Sequence, residues 1–469
     1  MAIGTPSQPL RVAIIGSGPS GFYAADHLLK QKDVSVEVDM FEKLPTPFGL
    51  VRGGVAPDHQ KIKSVTRNYE RVAAKSGFRF YGNVMFGRDM TYADMTQFYH
   101  AVIYAVGAQS DRSLNIAGED LPGSHAATAF VGWYNGHPEY RDFQFDLSQE
   151  SVAVIGVGNV AMDVARILAR SERELRETDI ADYALDALAR SRVREIHIFG
   201  RRGPAQAAFT NPEIKELGEL EEADLIIEND EITLDEISQK YIESPDADKK
   251  DVKNVQIMRE LSERPPQGKR KRLYLHFLAS PTAINGEGCV ESITLVRNEL
   301  YLDERGGIRP RATDQTYTVP VGLVFRSVGY LGVPLPDVPF YDRWGIIPND
   351  RGRVLTAHGA DQQLTGNYVV GWIKRGPSGI IGTNKPDAVE TVEQLLDDMR
   401  GDALNQPQTA ARDAVDAHLS AKGVRVVTFA DWQTIDRIEQ ERGAAVGRSR
   451  LKFSRVEDML AALDGATTP

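Results

Sequence analysis

The hydrophobic pattern of the N-terminal region predicts a strand, a turn and a helix. Val12–Ile15 are an uninterrupted apolar run, which is typical of a buried parallel strand. A G-x-G-x-x-G segment follows at residues 16–21. Beyond it, apolar residues recur at helical spacing, namely Phe22, Ala24, Ala25, Leu28 and Leu29. The chain is therefore predicted to open with a buried strand that enters a helix through a glycine-rich turn.

Each glycine of this turn has its own expected task. Gly16 allows the tight turn, Gly18 lets the backbone approach a phosphate, and Gly21 allows the helix to pack closely on the strand. The free N–H groups at the helix N-terminus favour an anion. Glu42 ends the next strand about 20 residues later, where an acid that binds ribose is expected. This combination favours a dinucleotide site over an ordinary strand-to-helix turn.

Ser151–Ala169 repeat the same architecture, with Gly156, Gly158 and Ala161 at the three glycine positions. The next strand, REIHIFGRRG, ends in two arginines, Arg201 and Arg202. An acid at this point would repel a 2′-phosphate, whereas arginine pairs with it bidentately. The second site is therefore predicted to prefer NADP(H), the alternative being two solvated arginines.

The order of the remaining elements predicts how the domains are connected. AVIYAVGA and VGLVFRSVGY are similar exit strands, and residues 367–400 contain a strand, a glycine-rich loop and an amphipathic helix. We predict an α/β fold with two Rossmann-like dinucleotide-binding domains, each three-layered around a parallel sheet, the second inserted into the first. The expected ranges are 1–110, 111–330 and 331–469. Two short helical patterns in the tail carry no predicted chemistry.

Two further segments have a functional and a structural interpretation. Residues 43–63 form a Gly- and Pro-rich loop, predicted to be non-helical and to line a cofactor, with Phe48, Leu50 and Val51 against a flat ring system. His59 in this loop is either a structural hydrogen-bonding residue or a proton relay. The basic run GKRKR, residues 268–272, is either a charged strand edge or a docking patch for an acidic protein.

Composition narrows the class of protein. A chain of 469 residues is expected to form two or three domains, and a net charge of −11 argues against nucleic acid as a partner. No apolar run is long enough to span a membrane, and no signal or transit peptide is visible, so a cytoplasmic location is expected. The single cysteine, Cys289, excludes an internal disulfide or C-x-x-C pair and an iron–sulfur cluster held by this chain alone. No metal site is predicted, and any electrons must reside on an organic cofactor.

Several longer motifs carry a family resemblance. They are GSGPSG, LPTPFGLVRGGVAPDH, YGNV, YAVGAQSD, GVGNVAMDVAR, GRRGPAQAAFTNPEIKE and VVGWIKRGPSGIIGTNK. With these motifs the chain resembles adrenodoxin-reductase-type ferredoxin–NADP(+) reductases, including their bacterial members, and the resemblance covers essentially the whole chain. Gly371-Trp372 stand where many other two-dinucleotide flavoproteins have Gly-Asp, which agrees with this narrower family.

The resemblance implies FAD in the first domain and NADP(H) in the second. Its FAD contacts would be, together with the glycines of the first turn, Ser20, Glu42, Leu50, Val84, Trp372, Gly379, Ile380 and Ile381. Its NADP contacts would be Gly156, Val157, Gly158, Asn159, Val160, Arg201, Arg202, Glu213 and Gly379. His59 and Glu216 would be a pair near the nicotinamide that water can join, although hydride transfer itself needs no protein acid or base.

The implied activity is hydride transfer between NADPH and FAD, followed by single-electron transfer to or from a ferredoxin-type iron–sulfur protein. An acidic ferredoxin needs local positive charge, for which the candidates are Lys269, Arg270, Lys271, Arg272, Lys374 and Arg375. One cysteine excludes thioredoxin reductase and the small subunit of glutamate synthase. The alternatives left are an NADPH-dependent reductase of another acceptor and a noncatalytic NADP-sensing flavoprotein.

Overall fold

The computed structural model describes residues 3–409 and 411–466. These residues divide into two compact units. Unit 1 contains the described residues up to Val55, His59–Ser110 and the described residues from Gly329 onward. Unit 2 contains Ala56–Asp58 and Asp111–Val328. Each unit is therefore built from segments that are separated in the sequence.

The strands are β1 (Leu10–Ile15), β2 (Val36–Glu42), β3 (Phe78–Gly82), β4 (Ala101–Tyr104), β5 (Ser110–Asp111), β6 (Ser124–Ala126), β7 (Ser151–Ile155), β8 (Glu195–Phe199), β9 (Ala223–Ile226), β10 (Lys271–His276), β11 (Ala279–Asn285), β12 (Ser292–Leu302), β13 (Ile308–Pro320), β14 (Leu323–Arg326), β15 (Tyr330–Leu331), β16 (Asn349–Asp350), β17 (Arg353–Leu355) and β18 (Gln363–Val369).

The α-helices are α1 (Pro19–Leu28), α2 (Leu50–Gly53), α3 (Gln60–Lys63), α4 (Thr66–Ala73), α5 (Tyr92–Phe98), α6 (Ala127–Tyr134), α7 (Asn159–Ala169), α8 (Glu172–Arg176), α9 (Asp182–Ala189), α10 (Asn211–Leu217), α11 (Asn229–Ile232), α12 (Glu236–Glu243), α13 (Lys249–Ser262), α14 (Trp372–Arg375), α15 (Asn384–Arg400), α16 (Asp413–Ala421), α17 (Phe429–Ala444) and α18 (Val456–Ala466). Short 3₁₀ helices cover Pro138–Tyr140, Pro204–Gln206 and Ile381–Thr383.

Unit 1 is organised around a seven-stranded sheet of order β16-β17-β18-β4-β1-β2-β3. The five strands from β18 to β3 are parallel. Alternate residues of β1 enter different cores: Val12 and Ile14 pack with helices α1 and α15, whereas Ala13 and Ile15 pack on the opposite face. Because both faces are covered, β1 is apolar almost throughout, as its sequence predicts.

Unit 2 repeats this design in a six-stranded, fully parallel sheet of order β6-β14-β7-β8-β10-β9. Val152 and Val154 of β7 join one core, and Ala153 and Ile155 join the other. A separate antiparallel sheet, β11-β12-β13, belongs to the same unit. The predicted fold class, with two Rossmann-like α/β folds and the second inserted into the first, is confirmed.

Three local predictions were wrong. The loop 43–63 contains the short helices α2 and α3. The basic run does not form a sheet edge, because β10 lies between β8 and β9. The tail contains three helices rather than two, and α17 begins earlier than predicted because Thr428 and Asp431 form a capping box at its N-terminus. Among the described residues, no helix combines the length and apolarity that crossing a membrane requires.

Candidate functional site

The first glycine turn lies at the carboxyl end of β1, where ligands bind in open α/β sheets. Gly16 has φ +102°, and a Cβ there would lie 2.7 Å from the carbonyl oxygen of Ala105. A Cβ on Gly21 would lie 2.4 Å from the carbonyl oxygen of Gly16. By contrast, a Cβ on Gly18 would have no atom within 4 Å. The two outer glycines are therefore required by packing, whereas Gly18 leaves open space in front of the α1 N-terminus.

Glu42 lies beside this turn, at the end of the neighbouring strand β2. Its Oε2 accepts hydrogen bonds from the Ser17 hydroxyl over 2.7 Å and the Ser17 N–H over 3.2 Å. Its Oε1 accepts one from the N–H of Leu44. A carboxylate has about four acceptor positions, so Glu42 retains capacity for a ribose hydroxyl.

The returning part of unit 1 meets the same turn. The Ser20 hydroxyl donates to Oδ1 of Asn384 at the start of α15, over 3.1 Å. Gly371, with φ +79°, lies so close to Ser20 that a Cβ there would be 2.1 Å from its hydroxyl oxygen. The end of β18 and the N-terminus of α15 therefore lie beside the first turn of α1.

The glycine-rich loop before α15 is held largely by its own residues. The indole N–H of Trp372 donates to the carbonyl of Ser378, and the indole stacks on Tyr330 with ring centroids 5.6 Å apart. Gly379 has φ +80°, and a Cβ there would lie 2.6 Å from the Thr383 hydroxyl oxygen. Ile380 is 63% exposed.

The other residues predicted to contact FAD differ in how exposed their side chains are. Leu50 is 47% exposed at the start of α2. Val84 is fully buried, and its N–H donates to the carbonyl of Glu42. Phe48 and Val51, predicted to pack on a ring system, are instead buried in the core of unit 1, because Phe48 packs against Phe22.

The second turn, in unit 2, has nearly the same geometry. Gly156 has φ +127°, and its Cβ would lie 2.2 Å from the carbonyl oxygen of Ser327. A Cβ on Gly158 would have no atom within 4 Å, so the space before the α7 N-terminus is open. The side-chain oxygen of Asn159 accepts from the N–H of Thr210, and the Val157 carbonyl accepts from Ala208 and Phe209. The loop after the arginines is thereby fixed beside the turn.

Arg201 and Arg202 lie just beyond the end of β8, as predicted, with Gly200 between the strand and Arg201. Burial, together with the charges of Arg201 and Arg309, lowers the pKa of Arg202. Within the described residues, neither guanidinium of the pair forms an ion pair or a hydrogen bond. A cluster of unpaired cations of this kind is suited to a doubly charged anion such as a phosphate monoester.

Sequence reasoning missed the residues that hold the arginine turn in place. The Gly200 carbonyl accepts from the N–H of Ala279, and the Arg202 carbonyl accepts from the N–H of Leu278. Between them, the Arg201 carbonyl accepts from Nδ2 of Asn298 over 2.8 Å. Three consecutive carbonyls are thus bound by the antiparallel sheet and the residue before it. The only sequence signal was a polar residue at a buried position of β12.

A second missed residue is Arg166, whose side chain is fully buried in α7. Its guanidinium pairs with Asp58, Asp163 and Glu213 at 2.7, 2.5 and 2.9 Å, and lies 3.5 Å from Glu216. It therefore fixes Glu213, one of the predicted NADP contacts. The signal was an arginine on an otherwise apolar helix, AMDVARILA.

His59 and Glu216 belong to different units. His59 immediately precedes α3 in unit 1, and Glu216 lies in α10 of unit 2 with 36% of its side chain exposed. Their role as a pair near a nicotinamide stays a prediction.

Burial removes two of the six docking candidates. The Lys271 ammonium donates to the carbonyls of Leu168 and Arg170 inside unit 2, and burial lowers its pKa to about 8. Lys374 is buried in unit 1, where it pairs with Asp387 and Glu390. The prediction that these two lysines are docking residues on the surface was wrong, because each side chain is buried and its ammonium group is bonded to acceptors of the same chain.

Comparison with known proteins gives a consistent result. Residues 10–198 match the family described as pyridine nucleotide-disulphide oxidoreductases. NADPH-ferredoxin reductase FprA of Mycobacterium leprae is 46% identical over 97% of this chain and 98% of its own. Mitochondrial NADPH:adrenodoxin oxidoreductase of Salvelinus fontinalis is 39% identical over 98% of this chain and 92% of its own.

A solved structure of Mycobacterium tuberculosis FprA in complex with NADPH is 45% identical, covers 98% of this chain and all of that one, and superposes with a TM-score of 0.90. Identity of this size along the whole chain establishes the family, as the sequence motifs predicted. The chain belongs to the NADPH-ferredoxin reductase family that includes FprA and the NADPH:adrenodoxin oxidoreductases.

Proposed function

We propose that the protein is a ferredoxin–NADP(+) reductase that holds FAD at the glycine turn of unit 1 and NADP(H) at the glycine turn of unit 2. The observation that carries the proposal is the contrast between the two turns. One is flanked by a carboxylate, Glu42, and the other by two unpaired arginines, Arg201 and Arg202. An arginine pair selects the 2′-phosphate that distinguishes NADP(H) from NAD(H), which leaves the first turn for FAD.

The residues at both turns fit a dinucleotide. Gly18 and Gly158 each leave open space at a helix N-terminus, where main-chain N–H groups and the helix dipole favour phosphate. The N-caps of α1 and α7 make no side-chain capping hydrogen bond, so these N–H groups are available to a ligand. In unit 1 we assign FAD contact to Gly16, Gly18, Ser20, Gly21, Glu42, Leu50, Val84, Trp372, Gly379, Ile380 and Ile381.

In unit 2 we assign NADP(H) contact to Gly156, Val157, Gly158, Asn159, Val160, Arg201, Arg202 and Glu213, with Gly379 reached from unit 1. Ranges 1–110 and 331–469 would then be the two parts of the FAD-binding domain, and 111–330 the NADP(H)-binding domain. Arg166 holds the Glu213 carboxylate in place, so Glu213 is offered in one orientation.

FAD bound at the first turn would supply two-electron hydride chemistry with NADPH and one-electron chemistry with an iron–sulfur protein. The role proposed for the chain's own residues is to bind and orient the two cofactors. Gly379 is exposed and has no side chain that could occupy the position of a nicotinamide ring. We propose that His59 and Glu216 hold or move a proton near that ring.

The partner is proposed to be a ferredoxin. Of the candidate docking residues, Arg270 and Arg272 have side chains that are 53% and 52% exposed, and Lys269 and Arg375 are partly exposed. Arg272 pairs with Glu195 and Arg270 lies 3.9 Å from Glu222, so the positive charge of the patch is partly offset. A cytoplasmic location is also proposed, because one cysteine in 469 residues suits a reducing compartment.

The ligand of each glycine turn can be tested separately. The purified protein should release FAD on denaturation, and replacing Arg201 and Arg202 together by Ala should lower the NADPH-to-NADH preference in kcat/KM. Arg311→Ala is the matched control, because Arg311 is an exposed arginine of the same unit that pairs with Glu299. A preference that does not fall in the double variant, or falls equally in the control, would contradict the assignment.

A further inference from the structure

Glu439 is a carboxylate buried inside the C-terminal helical region. It lies on α17, its side chain has no exposed surface, and its carboxylate oxygens accept four hydrogen bonds from protein groups. Arg52 donates two, Nη1 to Oε2 over 2.9 Å and Nη2 to Oε1 over 2.5 Å. Arg450 donates to Oε2 over 3.2 Å, and the N–H of Phe453 donates to Oε1 over 2.8 Å. A buried charge of this kind is tolerated because its acceptor positions are filled.

Electrostatics at this carboxylate favour its ionised form. Burial by itself raises the pKa of Glu439, but the charges of Arg52 and Arg450 and the hydrogen bonds hold the pKa below its usual value. Arg52 is 11% exposed, so its guanidinium also depends on this partner. Removing the Glu439 charge would leave the Arg52 guanidinium buried without its partner, and removing Arg52 would leave the buried Glu439 carboxylate with Arg450 as its ion-pair partner, so either change is unfavourable.

Arg52 connects α17 to residues 48–53, the segment in which Arg52 itself lies. The guanidinium lies 5.0 Å from the centroid of the Trp432 ring, and the edge of Trp432 packs on Phe48 with centroids 5.8 Å apart. The Lys452 ammonium donates to the main-chain carbonyl of Arg52. Helix α17 and the residues after it therefore hold residues 48–53 in place through ion pairing, hydrogen bonding and aromatic packing.

Residues 48 and 49 of this segment contact the first glycine turn directly. The N–H of Phe48 donates to the carbonyl of Ser17 over 3.0 Å. A Cβ on Gly49 would lie 3.0 Å from the Cα of Gly18, so the two backbones are in contact. Phe48 has φ +84°, a strained conformation for a phenylalanine that persists only when its surroundings enforce it. Ring contacts with Trp432 and Phe429 of α17, and with Phe22 and Tyr69, surround Phe48, and Arg52 packs on Trp432.

We infer that Glu439 is a positioning residue for the FAD site: through Arg52 it holds Phe48 and Gly49 against Ser17 and Gly18. The inference rests on the proposed function, since it takes FAD to be the ligand of the first turn. It gives the C-terminal region a role in cofactor binding, where the sequence predicted no chemistry. Glu439 itself does not touch the ligand.

The test measures FAD release from the holoenzyme. Glu439→Gln keeps the size of the side chain and removes the charge. Flavin fluorescence on serial dilution gives the dissociation constant for FAD, which should rise by about tenfold or more, equivalent to about 1.4 kcal/mol. The Glu439→Gln/Arg52→Gln double variant should lose clearly less affinity than the sum of its two single variants, and about as much as one of them, because both act on one contact.

The control is Asp398→Asn. Asp398 also lies in unit 1 and accepts three hydrogen bonds from one arginine, Arg353, two from Nε at 3.1 and 2.8 Å and one from Nη2 at 2.7 Å. It should lower the melting temperature without changing the FAD dissociation constant. If Glu439→Gln does not fold, Arg52→Lys retains the charge but not the paired geometry and should raise the dissociation constant by a smaller factor.

Two outcomes would overturn the inference: Glu439→Gln with wild-type FAD affinity, or an equal loss of affinity in Asp398→Asn. Either leaves the proposed function intact. Wild-type protein that binds no FAD at all would instead contradict the proposed function.

Discussion

The side-chain amide of Asn298 donates to the carbonyl of Arg201 over 2.8 Å and also lies 2.8 Å from the hydroxyl of Ser280. This contact joins strand β12 to the turn that carries the arginine pair. The hydrogen bond fixes the main chain of Arg201, and the guanidinium of Arg201 stays available for a ligand. If Arg201 binds the 2′-phosphate as proposed, the preference for NADP(H) depends in part on Asn298, a residue that holds the main chain of the arginine turn.

Asn298→Ala should weaken binding of 2′,5′-ADP by up to about tenfold while changing 5′-AMP binding little, because one hydrogen bond contributes about 1 kcal/mol. Calorimetric titration of both ligands measures this. Asn285→Ala is the control, since the Asn285 side-chain amide donates to Ser292 and Thr294 of the same antiparallel sheet. An equal loss for both ligands would mean that Asn298 supports the fold alone.

Gly18→Ala and Gly21→Ala should behave in opposite ways. A methyl group at Gly18 meets no protein atom, and its φ of −77° suits any residue, so the fold should survive while FAD affinity falls. At Gly21 the methyl group would clash with the Gly16 carbonyl, so folding itself should suffer. Thermal melting and flavin content separate the two effects. Normal flavin content in Gly18→Ala would contradict the placement of the phosphate.

Acid should destabilise unit 2 through His197. Burial, with contributions from the charges of His276 and Arg272, lowers its pKa to about 4. Between about pH 6.5 and pH 4 the unfolded chain binds a proton at this residue that the folded chain does not, so stability falls as pH falls. The contribution is at most about 3 kcal/mol. His197→Phe should reduce this acid sensitivity in urea unfolding; an unchanged pH profile would exclude His197 as its source.

Replacing Arg270 and Arg272 by Ser should raise the KM for ferredoxin and leave NADPH-dependent ferricyanide reduction unchanged. A long-range charge contact speeds encounter and weakens with salt, so the difference should shrink at high ionic strength. Equal loss with both acceptors, or an effect independent of salt, would show that the patch does not dock ferredoxin.

The sequence was most informative where structure is local. The strand, turn and helix around Gly16 and around Gly156 involve residues close in the chain, so periodicity and glycine spacing were sufficient to predict them. The capping box of Thr428 and Asp431 was equally local, and its pattern could have placed the start of α17.

What sequence reasoning missed depends on contacts between distant residues. Glu439 is 387 positions from Arg52, and Asn298 is 97 positions from Arg201. Asn298 stands out only as a polar residue in a strand, and nothing in the segment around Glu439 distinguishes it from a solvated acid. Lys271 and Lys374 failed for the same reason, because their acceptors come from other elements.

The most direct test of the account is anaerobic reduction of ferredoxin by NADPH. The FAD-loaded protein is mixed with NADPH and, in turn, with each ferredoxin encoded in the same genome, and the loss of iron–sulfur absorbance is followed. At least one ferredoxin should be reduced, with NADH a poor substitute for NADPH. Rapid ferricyanide reduction with no ferredoxin reduced, or equal rates with NADH, would contradict it.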